Sequence, residues 1–432
     1  MTYSPVMFFR SNPNSSLDKN PNSDRAMWDP RNRGHNSSRR RVTAPVRTGQ
    51  CLRVLHVVAV LAFCCQAVAV ADEGPALTLE YRGKLRLNVD TATDQSGQPF
   101  KIEGLSGIAR YGADKYVSVM DNSNHVVFLN VSFKPYGSID KASVTGGLSV
   151  PTSRDYEGIA YTNAERNSVF LSNEATPPPP ALYEYSLATG QLLQTVAMPP
   201  VFMGQRDNRG LESLTRRADG REMWTANEEA LTADGPMSTA TSGTVVRLVR
   251  FTVSGNTLTA AQQYAYNVDP IHIGLGKPFC SGISDLVVLP DGTLLTLERS
   301  AMEGLPFFQT RIYQVDFTGA TDISQGSLAG GLIGQSYTPV RKKLLLSTTK
   351  IGENLEGICM GPELSGGHWA LLGVVDSGDP VSKNTLVAFE LIEPTQWPIA
   401  EIEIGGGAAA VLLLMLIIAL SRRHRSPAHT EP

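Results

Sequence analysis

The stretch from about Ala76 to Glu393 predicts an all-β domain, and within that class a β-propeller. Three observations lead there. A Glu-Gly-(Leu/Ile) motif recurs along the stretch. Each copy is followed by a short run of apolar and β-branched residues that ends in an acid or an amide. Hairpin signals separate the runs. Repeats of this length, each with about four short strands, suit propeller blades, whose radial arrangement protects sheet edges. Six blades are preferred, the sixth formed by residues 76–100 with the last strands near Phe389; five or seven remain compatible with the spacing.

The copies run in order. Ile102-Glu103-Gly104-Leu105-Ser106-Gly107-Ile108-Ala109 is echoed by Tyr156-Glu157-Gly158-Ile159-Ala160, then by Arg209-Gly210-Leu211-Glu212-Ser213-Leu214 and by Asn354-Leu355-Glu356-Gly357-Ile358. Ser281-Gly282-Ile283-Ser284-Asp285-Leu286 is a degenerate copy. The runs that follow end at Asp121-Asn122, Asn173-Glu174, Asn227-Glu228, Glu298-Arg299 and Asp376. Ala218-Asp219-Gly220 and Pro290-Asp291-Gly292 supply tight turns between strands. A third strand per unit is visible at Ala181–Leu187, Thr244–Phe251, Arg311–Phe317 and Asn384–Leu391. No amphipathic helical pattern appears in this body, and Pro177 to Pro180 predict a stiff surface loop.

The flanks differ from the body. Residues 1–53 hold ten Lys/Arg against three Asp/Glu, are rich in Asn, Ser, Pro and Arg, and predict a disordered leader, with Met27 an alternative start. Val54–Ala71 is a short apolar run behind Arg47 and Arg53 and ends in Ala69-Val70-Ala71, the form of a secretory signal. Ile404–Ser421 is an uncharged run of 18 residues, long enough as a helix to cross a bilayer core of about 30 Å, and Arg422, Arg423 and Arg425 follow it. By the positive-inside rule the short basic tail 422–432 is cytoplasmic and the body 76–393 lies outside, tethered to a membrane by one span. Between the basic flanks stand 37 acidic and 25 basic residues, a balance that argues against nucleic acid as a partner and is compatible with binding cations. Two cysteines fall in the body, Cys280 and Cys359, and one disulfide or two separate buried thiols fit equally.

Taken together, Gly104-Leu105-Ser106-Gly107-Ile108, Asp155-Tyr156-Glu157-Gly158-Ile159-Ala160, Ser172-Asn173-Glu174, Asn208-Arg209-Gly210-Leu211-Glu212, the stretch Gly282–Ser300, and Glu353-Asn354-Leu355-Glu356-Gly357-Ile358 resemble the phytase-like domain family, also described as esterase-like activity of phytase. The resemblance spans about Phe100 to Leu391 and implies a propeller and, as an expectation, hydrolysis of ester bonds. Two departures stand out. Asn173-Glu174-Ala175 replaces the family's Ser-Glu-Gly, and Val375-Asp376-Ser377-Gly378-Asp379-Pro380 replaces Ser-Asp-Asp-Asn-Phe, with loss of an amide and an aromatic.

The chemistry follows from carboxylates. Acids that end equivalent strands would form a ring: Asp121, Glu174, Glu228, Glu298 and Asp376. Asp121, Glu174, Glu228 and Asp376 are the candidate metal ligands, and clustered oxygen donors suit Ca²⁺. Glu298, Arg299 and Arg209 are the candidate catalytic residues; Asn208, Arg209 and Asn354 are the candidates for binding a small anionic ester or phosphate. Glu103, Glu157, Glu212 and Glu356, the acids of the repeated motif, read first as structural marks that tie blades together. The residues around them contain no G-x-S-x-G elbow, P-loop, dinucleotide fingerprint or zinc spacing, and the body holds only His125, His272 and His368. The leading expectation is a cation-dependent phosphoesterase or esterase acting outside the cytoplasm. A non-catalytic surface propeller that binds a protein, glycan or ion is the alternative, and a lactonase-type hydrolase a lesser one.

Overall fold

The structure, a computed structural model, describes residues 77–174 and 179–393. The leader, the signal segment 54–71, Pro177 and Pro178, the span 404–421 and the tail 422–432 lie outside the described residues. Among the described residues no helix is long and apolar enough to cross a membrane.

Five four-stranded antiparallel sheets form five blades. Blade 1 is β4 (Leu105–Arg110), β5 (Lys115–Met120), β6 (Ser123–Phe133) and β7 (Ile139–Arg154). Blade 2 is β8 (Tyr156–Tyr161), β9 (Ser168–Asn173), β10 (Ala181–Ser186) and β11 (Leu192–Ala197). Blade 3 is β12 (Thr215–Arg216), β13 (Glu222–Ala226), β14 (Val245–Ser254) and β15 (Thr257–Asn267). Blade 4 is β16 (Pro278–Val288), β17 (Leu294–Met302), β18 (Phe308–Asp316) and β19 (Arg341–Thr348). Blade 5 is β20 (Leu355–Glu363), β21 (Trp369–Val375), β22 (Thr385–Ile392) and, from the other end of the body, β1 (Thr78–Arg86).

The last pairing corrects the preferred count of six. Residues 78–86 do not seed a sixth blade; they add the outermost strand to the fifth, from Thr78 opposite Ile392 to Arg86 opposite Thr385. Joining the two ends of the body in one sheet leaves no gap in the ring. A hairpin of β2 (Thr91–Thr93) and β3 (Pro99–Lys101) packs beside β7. Two short 3₁₀ turns, at Pro200–Gly204 and Gly326–Gly330, are the helical segments described.

The first strand of each blade is innermost, and β4, β8, β12, β16 and β20 touch in that cyclic order, β20 meeting β4. The second strands are continuously buried, as in β9, β13 and β17, because each blade face packs on a neighbouring blade. Outer strands such as β11 return to an exposed–intermediate pattern. The core accordingly divides into five main apolar clusters, one per blade interface. Cys280 and Cys359 are separate buried thiols, and burial pushes Cys280 up to about 12.

Glycine in the repeat has a packing reason. A Cβ on Gly357 would stand 2.2 Å from the Ser106 carbonyl oxygen, one on Gly158 2.4 Å from the Leu214 amide, and one on Gly107 2.5 Å from the Glu157 carbonyl. These are contacts between inner strands of neighbouring blades. Five strands close a tight ring around the axis only if some of them carry no side chain there.

Candidate functional site

The register around the axis sorts the candidate residues. In blades 1, 2 and 5 the residue after the second strand bonds the residue that precedes the inner strand, and blades 3 and 4 have equivalent pairs at Glu228 and Arg299. The amide of Asp121 bonds the Gly104 carbonyl, Glu174 bonds Asp155, Glu228 bonds Gly210, and Asp376 bonds Asn354, at 2.7–2.9 Å. In blade 4 the corresponding partner of Gly282 is Arg299. The ring is therefore Asp121, Glu174, Glu228, Arg299 and Asp376, not the five acids expected. Glu298 stands one residue earlier, and successive side chains of a strand point to opposite faces. Its carboxylate instead accepts hydrogen bonds from Tyr266 Oη at 2.7 Å and Lys342 Nζ at 2.6 Å, away from the axis.

A second ring comes from the inner strands. Leu105, Tyr156, Leu211, Ile283 and Leu355 pair with Met120, Asn173, Asn227, Glu298 and Val375, so the residues that follow them are equivalent: Ser106, Glu157, Glu212, Ser284 and Glu356. The inner strands of blades 1, 2, 4 and 5 are bulged here, which keeps these side chains turned toward the axis. Three of the four motif acids thus converge. Glu103 does not: it lies three residues before the true equivalent, is exposed, and pairs with Lys101. Ser106 takes its place and donates to Glu157 Oε2 at 2.5 Å.

The two rings meet. Carboxylate oxygens lie within 4.8 Å of one another in three overlapping groups: Glu157 with Glu212 and Glu356, Glu174 with Glu212 and Glu228, and Asp121 with Asp155 and Glu157. Glu157, Glu174, Glu212, Glu228 and Glu356 are buried, while Asp121, Asp155 and Asp376 are half-buried toward the rim. Burial, reinforced by the neighbouring carboxylates, holds Glu157, Glu174 and Glu212 well above the ordinary carboxylate range. The same causes raise Asp121, and burial raises Asp376. Burial raises Glu356 to about 7 against the opposing pull of Arg299, and burial with Glu228 brings Glu229 to about 7.

The cations are spent inside this site. Arg299 donates to Glu228, lies 3.2 Å from Glu356, and donates to Asn354 Oδ1 at 3.2 Å. Arg209 lies 3.2 Å from Glu228 and 3.5 Å from Glu229, with its guanidinium 5.0 Å from the centre of the Phe279 ring. Asn354 donates to Glu356 at 2.8 Å and to Asp376 at 3.2 Å. Asn208 is exposed in a tight turn at φ +54°. Glu212 Oε2 has no hydrogen-bond partner among the described residues, although the residue is only 5% exposed.

Three residues to which the sequence assigns no role matter here. Asp155 occupies the position filled by Gly104, Gly210 and Asn354 in other blades, and its place directly before the motif was the available signal. Glu229 follows Glu228 and faces Arg209 and the Ser238 amide, at 2.6 Å from the latter. Asp285, in the degenerate copy, accepts the amides of Leu286 and Ile358 at 2.8 Å and of Leu214 at 3.4 Å, joining blades 3, 4 and 5.

Among solved structures, a periplasmic gluconolactonase of Pseudomonas aeruginosa, PpgL, is 11% identical, with 74% of this chain and all 100% of that one covered and a TM-score of 0.32. An endo-arabinase of Bacteroides thetaiotaomicron is 12% identical, with 71% and 98% covered and a TM-score of 0.38. No curated protein matches the sequence. The family model described as phytase-like, esterase-like activity of phytase, matches residues 100–376, which hold both rings and all five blades' inner strands, and the chain belongs to that family.

Proposed function

We propose that the carboxylate-lined mouth holds a divalent hard cation, calcium by its donor set, and that the protein is a cation-dependent hydrolase of phosphate or carboxylate esters. The observation that carries this reading is Glu212, buried with a free oxygen between two groups of carboxylates. Like charges crowded out of water are stable only with protons or a cation among them. The donors are all oxygens, and Glu157, Glu174, Glu212, Glu228 and Glu356 with the rim aspartates can supply the six to eight ligands calcium takes. A cation held there would polarise a phosphoryl or acyl oxygen and activate water. Arg299 and Asn354 orient Glu228 and Glu356; Glu229, near 7 and not among the proposed ligands, can take up a proton at neutral pH. Arg209 lies against the exposed Phe279 ring and would be a cation for an incoming anion.

The test is calcium titration of the full chain by calorimetry, followed by turnover of 4-nitrophenyl phosphate and 4-nitrophenyl acetate with calcium or with chelator. The expected result is calcium binding, calcium-dependent turnover of one ester, and loss of both in Glu212→Gln. Calcium binding without turnover of either ester would favour the second reading, a non-catalytic propeller that binds a protein, glycan or ion. The observation on its side is that Arg209 and Arg299 are both already paired with Glu228.

The same reading has the site working outside the cytoplasm, with Val54–Ala71 as an export signal and Ile404–Ser421 as a membrane tether. Fractionation of cells expressing the full chain, with protease added outside, tests it: a protected cytoplasmic body would end it.

A further inference from the structure

All five inner strands run the same way along the axis, so their starts carry the carboxylates and their ends surround the opposite mouth. There a cavity of about 530 Å³ opens. Its floor is one apolar side chain from each blade: Ile108, Ile159, Leu214, Val287 and Ile358. These buried residues separate it from the carboxylate mouth. Among the described residues three arginines line it, Arg110, Arg216 and Arg217, and no acid does. Arg217 is paired with Asp219 and Glu222. Arg110 and Arg216 differ: among the described residues neither has a carboxylate within ion-pair distance, and their partners are backbone carbonyls. Arg110 donates to Gly112, Ala113 and Gly361, and Arg216 to Thr162 and Gly220. Burial pulls Arg216 below its ordinary value, with only a distant pull from Asp219 and Glu184 against it.

We propose that this cavity binds an amphiphilic anion, an aromatic or acyl body carrying a single carboxylate, sulfonate or phosphate head. The volume falls in the range of small-molecule sites. The apolar floor takes the body by burial of its surface. The head meets Arg216, with Arg110 a second cation of the lining; neither has an anionic partner among the described residues, in a chain whose body is otherwise acidic. This site is independent of the carboxylate mouth and of its proposed chemistry.

The experiment is calorimetric titration of the full chain with naphthalene-2-sulfonate and with uncharged naphthalene-2-methanol, with Trp369, which lines the cavity, as a fluorescence reporter. One sulfonate binds per chain, at least about tenfold tighter than the alcohol, and quenches tryptophan emission. Arg216→Gln removes the preference for the sulfonate and Arg216→Lys keeps most of it. Ala218→Trp, an exposed rim position, blocks both ligands without disturbing the fold. The proposal is overturned if neither ligand saturates by about 5 mM, or if sulfonate binding is unchanged in both Arg216→Gln and Ala218→Trp.

Discussion

At the scale of single residues, the axis separates neighbours that look alike in sequence. Glu212 and Glu298 are both buried acids on strand or near-strand positions, yet one faces other carboxylates and the other faces Lys342 and Tyr266. Opposite outcomes follow. Glu212→Gln removes a like charge from a crowded site, so the metal-free protein should melt at a higher temperature while calcium affinity falls at least about tenfold. Glu298→Gln removes the buried carboxylate that pairs with half-buried Lys342, so stability should drop by about 1–3 kcal/mol with calcium affinity unchanged. Thermal melts and calcium titrations of the two variants separate these cases; a Glu298→Gln protein that loses calcium would show that the two sites are coupled. Legibility in the sequence is limited at this scale. The acid-or-amide ending of each run was readable, but the residue that reaches the axis was not. The last step depends on strand parity, and a shift of one position exchanges Glu298 for Arg299.

At the scale of elements, the bulged inner strand is the recurring device. It turns one side chain per blade toward the axis and brings backbones of adjacent blades together. Gly357→Ala should lower stability by about 1–3 kcal/mol or prevent folding, since its Cβ would meet the Ser106 carbonyl at 2.2 Å; chemical denaturation checks this. Asp285 is the corresponding staple in blade 4. Its carboxylate is an acceptor-only group facing three amides from three blades. Asp285→Asn turns one acceptor into a donor against another donor and should cost about 1–3 kcal/mol, more than the same change at exposed Asp291. Equal melting temperatures for the two variants would refute the staple. The repeated motif announced the inner strand well. It misled at Glu103, where the sequence match falls three residues before the structural one, because Gly104 and Gly107 both fit the pattern and only pairing distinguishes them.

At the scale of the whole molecule, closure and charge dominate. Deletion of Thr78–Arg86 removes the outer strand of the last blade and should abolish cooperative unfolding. The carboxylate mouth gives the metal-free fold a pH dependence with a definite sign. Glu356 and Glu229 have folded values near 7, above the ordinary carboxylate range, so the folded state holds protons that the unfolded chain releases. Their contribution is fully present below the ordinary range and is lost as pH rises through about 7. The metal-free melting temperature should therefore fall between pH 5 and pH 8, with calcium restoring it at pH 8 and binding tighter there than at pH 6. A flat profile would mean the carboxylates are already ionised. The sequence by itself determined the all-β class, the propeller, the family and the inner-strand repeat, because these depend on local alternation and on motif order. Only the tertiary structure decided that the ring closes at five, that β1 completes the last blade, and that Arg299 rather than Glu298 joins the acids. Ring closure and side-chain convergence depend on pairing between residues up to about three hundred positions apart, as Thr78 with Ile392, and no local pattern encodes such a register.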